Sequence, residues 1–148
     1  MRKPDPATPA NVLLVEDNPA DIRLIQEAFR EADIQVTLHV RTDGEKALDF
    51  VMQTGDDSAA PRPDIILLDL NLPRKDGREV LDAIKSAPRV CRIPIIVLTT
   101  STADDDIARC YDAHANCYLV KPMMLHELVE LALLVDRFWL KAARLAAP

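Results

Sequence analysis

Four short apolar runs in this chain each end on residues able to do chemistry. Val12-Leu13-Leu14-Val15 is followed by Glu16-Asp17, Ile65-Ile66-Leu67-Leu68 by Asp69, Ile95-Ile96-Val97-Leu98 by Thr99, and Tyr118-Leu119-Val120 by Lys121. Runs this short, apolar without alternation, fit strands buried on both faces, as in a parallel sheet covered by helices. In open α/β sheets, ligands bind outside the carboxyl ends of the strands. Four such ends deliver three carboxylates, a hydroxyl and an ammonium to one rim. That set suits a magnesium ion and a phosphoryl group.

The intervening segments read as helices. Asn18 offers a side-chain cap and Pro19 needs no amide partner, so a helix starts there and runs to about Ala32, with Ile22, Ile25, Phe29 and Ala32 on one face. Val36 to Val40 alternates strictly, which marks a strand with one wetter face and places it at a sheet edge. Gly44 to Met52 fits a second helix, and the polar stretch from Thr54 to Pro63 is the expected mobile loop. A third helix after Gly77 buries Val80, Leu81 and Ile84. Thr102 opens a fourth, with Asp104, Asp105 and Asp106 in its first turn, where negative charge is favoured. The last helix runs from Leu125 to Leu145. The pattern is (βα)5. Right-handed crossovers make it an α/β, doubly wound, flavodoxin-like fold, with a five-stranded parallel sheet in the order 2-1-3-4-5. Residues 1–10 form a flexible tail and residues 11–148 one domain with an extended C-terminal helix.

Bulk composition narrows the function. With 148 residues, 49% of them hydrophobic, the chain can build one sizeable core. A net charge of -6 argues against nucleic acid as a partner. No apolar stretch is long enough to span a membrane without a charge. Arg2 and Lys3 are followed by no apolar segment, so a secretory signal is absent and the cytoplasm is the expected location. Cys91, Cys110 and Cys117 match no zinc spacing and read as buried or half-buried thiols.

Val15-Glu16-Asp17-Asn18, Leu68-Asp69-Leu70-Asn71-Leu72-Pro73, Asp76-Gly77, Leu98-Thr99-Thr100-Ser101 and Val120-Lys121-Pro122 are each weak motifs. In this order, at strand ends, they resemble the response-regulator receiver domain of the CheY-like kind, over about Asn11 to Leu145. Tyr111-Asp112-Ala113-His114-Ala115-Asn116-Cys117-Tyr118 and Phe138-Trp139-Leu140 further resemble the small receivers that partner bacterial phytochromes. His114 stands where many receivers carry Gly, at a helix end that wants a left-handed residue. The resemblance implies a phosphorelay protein that accepts a phosphoryl group on Asp69 from a histidine kinase coupled to a bacteriophytochrome. It implies Mg2+ held by Asp17, Asp69 and the backbone carbonyl of Asn71, with Glu16 acting through water. Lys121 pairs with Asp69 at rest and with the phosphoryl oxygen afterward, while the Thr99 hydroxyl and the Thr100 amide hold another oxygen. Thr99 and Tyr118 form the switch; the family carries a cis peptide where Lys121-Pro122 stands, and the sequence leaves the isomer here open. Such a protein is no enzyme in the ordinary sense; it assists its own phosphotransfer and dephosphorylation.

The last helix carries more apolar surface than one sheet can bury. Glu127, Glu130, Arg137, Lys141 and Arg144 make a polar stripe. Leu128, Ala132, Val135 and Trp139 make a second stripe, and Leu131, Leu134 and Phe138 a third. Adjacent Phe138 and Trp139 point in different directions, which predicts a homodimer through this helix. No output domain is recognisable, so the signal is expected to leave by protein contact. A phosphohydrolase with an aspartate nucleophile needs an acid two residues on, where this chain has Asn71. A flavin binder needs a phosphate loop where this chain has Glu16-Asp17. The alternatives are a receiver-like docking module that is never phosphorylated and, behind it, the aspartate-nucleophile phosphohydrolase.

Overall fold

The computed structural model describes residues 8–148. Of the expected N-terminal tail, residues 1–7 lie outside them, and Ala10 already belongs to the first strand. The elements in chain order are β1 (Ala10–Val15), α1 (Pro19–Glu31), β2 (Val36–Arg41), α2 (Gly44–Met52), β3 (Ile65–Leu68), α3 (Gly77–Ser86), β4 (Ile95–Thr99), α4 (Asp104–Asp112), β5 (Cys117–Val120) and α5 (Leu125–Val135), the last continuing as a π-helical segment, Asp136–Ala142. The sheet is parallel throughout, in the order β2-β1-β3-β4-β5.

Alternate side chains of the central strands feed two cores. Leu13, Val15, Ile66, Leu68, Ile95 and Val97 pack with Phe50 of α2, with Val80, Leu81 and Ile84 of α3, and with Cys110 of α4. Val12, Leu14, Ile65, Leu67, Ile96 and Leu98 pack with Ile25, Ala28 and Phe29 of α1 and with Leu128, Ala132 and Val135 of α5. Every residue of β3 and β4 is buried, which is why their sequences lack alternation. The edge strand β2 is half-buried nearly throughout. On its polar face His39 meets the Phe50 ring at 5.0 Å, tilted by 47°, and Arg41 lies over the same ring at 4.7 Å, while Thr37 stays exposed.

Local chemistry sets the helix starts. Asn18 accepts from the amides of Ala20 and Asp21, Asp43 from that of Lys46, and Asp76 from that of Arg78. α4 begins at Asp104 rather than Thr102, without a side-chain cap, and its three aspartates fill the first turn as expected. His114 takes a left-handed φ of 71° just after α4. The three cysteines are free, with Cys110 buried and the others half-buried.

The Lys121-Pro122 peptide, whose isomer the sequence leaves open, is trans. Two expectations need correction. The segment from Thr54 to Pro63 is tied down. A short 3-10 turn, Gly55–Asp57, places Asp57 in a bidentate pair with Arg41, and Gln53 donates to the Ala60 carbonyl at 2.7 Å. The last helix is not regular to Leu145. After Val135 the π-helical segment widens the turn, so buried Asp136 pairs with Lys141 five residues on, at 2.9 Å. Leu140, not Trp139, then continues the buried stripe of Leu128, Ala132 and Val135.

Candidate functional site

The rim forms where β1, β3, β4 and β5 end side by side. Val15 is in register with Leu68, Leu68 with Val97, and Thr99 with Val120, so the residues that follow converge. The Glu16 amide bonds the Arg41 carbonyl and the Asp69 amide the Val15 carbonyl, extending the ladders past the strands and fixing both acids. Gly77 brings α3 against this turn, its amide 2.9 Å from the Leu70 carbonyl. A Cβ at Gly77 would collide with the carbonyl oxygen of Asp69 and with Leu70.

Glu16, Asp69, Thr99 and Lys121 are all buried, while Asp17 faces solvent. Carboxylate oxygens of Glu16, Asp17 and Asp69 lie within 4.8 Å of one another. Hard oxygen donors so grouped, with one edge open to water, fit a small divalent cation. Asn71 is next to this group, its backbone amide 3.4 Å from Asp69 Oδ1. Lys121 Nζ donates to Glu16 Oε2 at 2.6 Å, to Asp21 Oδ2 at 3.1 Å and to Asp69 Oδ2 at 3.2 Å. The resting lysine therefore pairs most closely with Glu16, not with Asp69 alone. Asp21 was not among the residues read from sequence. In the sequence it is an ordinary acid in the first turn of the helix leaving β1, and only the fold brings it to the rim.

Three carboxylates thus surround one ammonium, with Asp17 beside two of them, and burial sharpens the conflict. Desolvation pushes Glu16 up to about 7, helped by the hydrogen bond it shares with Asp69 and only partly offset by Lys121 and the Asn18 amide. Burial alone would raise Asp69 as well, but the Glu16 hydrogen bond, the Lys121 charge and hydrogen bond, and Thr99 together hold it below its ordinary value. Burial disfavours the Lys121 charge, yet the surrounding carboxylates raise its pKa above the usual lysine value. Burial therefore favours the protonated form at Glu16, while the partners of Asp69 favour its charged form.

Thr99 is fully buried, and its hydroxyl has no hydrogen-bond partner among the described residues. It lies close enough to favour the charged form of Asp69 without completing a bond of good geometry. An orphaned donor aimed at a carboxylate is what a site for additional oxygens requires. Two residues on, the Ser101 hydroxyl donates to Asp106 at 2.6 Å, and Asp106 also accepts from Arg78 at 2.6 and 3.2 Å. Tyr118 packs against the core on the α3 and α4 side, and its hydroxyl donates to the Ser101 carbonyl at 2.9 Å. The β4–α4 connection is thus held from α3, α4 and β5.

The surplus apolar surface expected of the last helix is present. Leu134 is 67% exposed and Phe138 58%, while Trp139 is half-buried against the second core and meets Phe138 edge to face at 5.0 Å. No described helix is long and apolar enough to cross a membrane.

The model of the response regulator receiver domain matches residues 12–133. The response regulator Rcp1 of Synechocystis sp. is 47% identical over 139 residues, which span 94% of this chain and 95% of Rcp1. The crystal structure of the phosphorylated cyanobacterial phytochrome response regulator RcpA superposes with a TM-score of 0.89 at 47% identity, covering 95% of this chain and 100% of that one. The Mn(2+)-bound form of Rcp1 superposes with a TM-score of 0.86 at 47% identity, covering 94% and 100%.

Proposed function

The chain belongs to the response regulator receiver family, whose members are phosphorylated on an aspartate in two-component signalling, and from that premise we propose that Asp69 is the acceptor, Lys121 and Thr99 its assistants, and Glu16, Asp17, Asp69 and Asn71 the holders of Mg2+. One observation carries this reading. Asp69 is the buried member of the acidic triad that ends β3 with Lys121 Nζ at 3.2 Å and the Thr99 hydroxyl close by.

The chemistry balances without a base. An Asp69 oxygen forms a bond to phosphorus as the bond from phosphorus to the kinase histidine nitrogen breaks. The nitrogen keeps the electron pair and later takes a proton from water. With acetyl phosphate as donor, acetate leaves instead. Negative charge spreads over the phosphoryl oxygens, so the protein's task is positioning and neutralisation. Lys121 donates to one of these oxygens, and the unpartnered Thr99 hydroxyl, with the Thr100 amide, to another. A bound Mg2+ supplies the remaining neutralisation. Movement of Thr99 toward the phosphoryl group then reaches Tyr118 through the Ser101 carbonyl.

The proposed partner is a histidine kinase coupled to a bacteriophytochrome, supported by the relatives named above, and the proposed setting is the cytoplasm. A homodimer through Phe138, Trp139 and Leu134 is supported by the exposure of Leu134 and Phe138. The test of the acceptor is intact mass after incubation with Mg2+ and acetyl phosphate, beside Asp69→Ala. The expected result is a base-labile phosphoryl adduct on the native chain only. No adduct under any condition points instead to a docking module.

A further inference from the structure

We propose that Asp21 is a positioning residue for phosphoryl transfer, because it alone among the three acceptors of Lys121 has no second task at the site. The proposal rests on the reading of Asp69 as acceptor.

A lysine ammonium has three N–H donors and no more. Here all three are committed, to Glu16, Asp21 and Asp69. Glu16 and Asp69 both belong to the acidic triad with Asp17, and Asp69 also gives up its charge when it is phosphorylated. Asp21 contributes no oxygen to that triad. It sits in the first turn of α1, where the Asn18 cap fixes the backbone through the Asp21 amide at 3.2 Å. Its side chain is only 31% exposed, so the pair with Lys121 is sheltered on one side by the rim.

When the triad and the phosphoryl group claim Glu16 and Asp69, Asp21 is the one carboxylate of the three left to hold the ammonium while it turns a donor to the phosphoryl oxygen. A long side chain without an anchor spends its time in many rotamers, and an unoriented donor loses its advantage in the transition state. Asp21 therefore keeps Lys121 at the rim through the reaction, acting through the lysine rather than on the phosphoryl group.

The test compares the native chain with Asp21→Ala and Asp21→Asn in two measurements: the initial rate of adduct formation from acetyl phosphate at saturating Mg2+, read by intact mass, and Mg2+ affinity without donor, read by thermal shift. Asp21→Ala should slow adduct formation about tenfold, and Asp21→Asn, which keeps an acceptor oxygen, should recover part of the loss. Mg2+ affinity should stay within about threefold of native in both, since a positioning role leaves the triad intact. A native rate in Asp21→Ala overturns the proposal. So does a loss of Mg2+ affinity in step with the rate, which would make Asp21 a member of the cation site. If Asp21→Ala does not fold, Asp21→Ser, whose hydroxyl is too short to reach Lys121 from the same backbone position, takes its place, and a native rate there overturns the proposal. Absence of an adduct on the native chain, or its survival in Asp69→Ala, overturns the acceptor reading itself, and this proposal with it.

Discussion

Gly77 shows how a residue without functional groups can govern a site. Its missing Cβ is what allows α3 to lie on the turn that carries Asp69. Gly77→Ala should destabilise the domain by about 1–3 kcal/mol, as overpacking against backbone does, and should also slow adduct formation by displacing Asp69. Chemical denaturation and the phosphorylation rate check the two effects. Glu16 makes a different prediction. Its carboxyl is raised to about 7 in the folded domain, against 4.5 as its ordinary value. A raised carboxyl binds more protons folded than unfolded. Its stabilisation is therefore fully present below 4.5 and is lost as pH rises through about 7. Cation binding requires the ionised form, so Mg2+ affinity should climb between about pH 6 and 8. Glu16→Gln should flatten both profiles in thermal titrations. In the sequence, Glu16, Asp17, Asp69, Thr99 and Lys121 were legible because each abuts an apolar run. Asp21 was not, because nothing in a linear reading separates a rim-facing acid from an ordinary first-turn acid.

At the scale of elements, the last helix is where periodicity failed. A 3.6-residue period carried through Val135 assigns Trp139 to the buried stripe. The π-helical segment adds a residue to the turn, and Leu140 takes that place. The widened turn is matched to the Asp136–Lys141 pair, whose spacing of five residues no α-helix would align. Leu134 and Phe138 emerge as exposed neighbours on the outer side. Replacing both with Ser should weaken a homodimer at least about tenfold in light scattering or sedimentation, while leaving monomer stability nearly unchanged. A native chain that is monomeric with and without phosphorylation removes the dimer. The β2 strand was misread in a milder way. Its edge position is real, but the face expected to be wet is covered where His39 and Arg41 meet Phe50. Arg41 is anchored in turn by Asp57, and that long-range pair also explains why the intervening polar loop is tied down.

For the whole molecule, four of the five strands read as runs without alternation, and the one that alternates, β2, lies at an edge, since burial on both faces dictates the middle of a sheet. Which helix covers which face follows from right-handed crossovers. Cation binding should stabilise the folded domain as a unit. At about one hundred times the dissociation constant of Mg2+, the gain should be about 2.7 kcal/mol, and a chelator should reverse it. A cation-independent melting temperature at neutral pH removes the metal site.

The orphaned Thr99 hydroxyl has a consequence for selection. A buried donor without a partner costs about 1–3 kcal/mol, so the unphosphorylated fold sits below the stability it could reach. Thr99→Val should raise the melting temperature of the unphosphorylated protein while abolishing its response to phosphorylation. A screen for heat resistance alone would therefore favour the mute variant, and the hydroxyl persists only where the message is worth more than the robustness of its carrier.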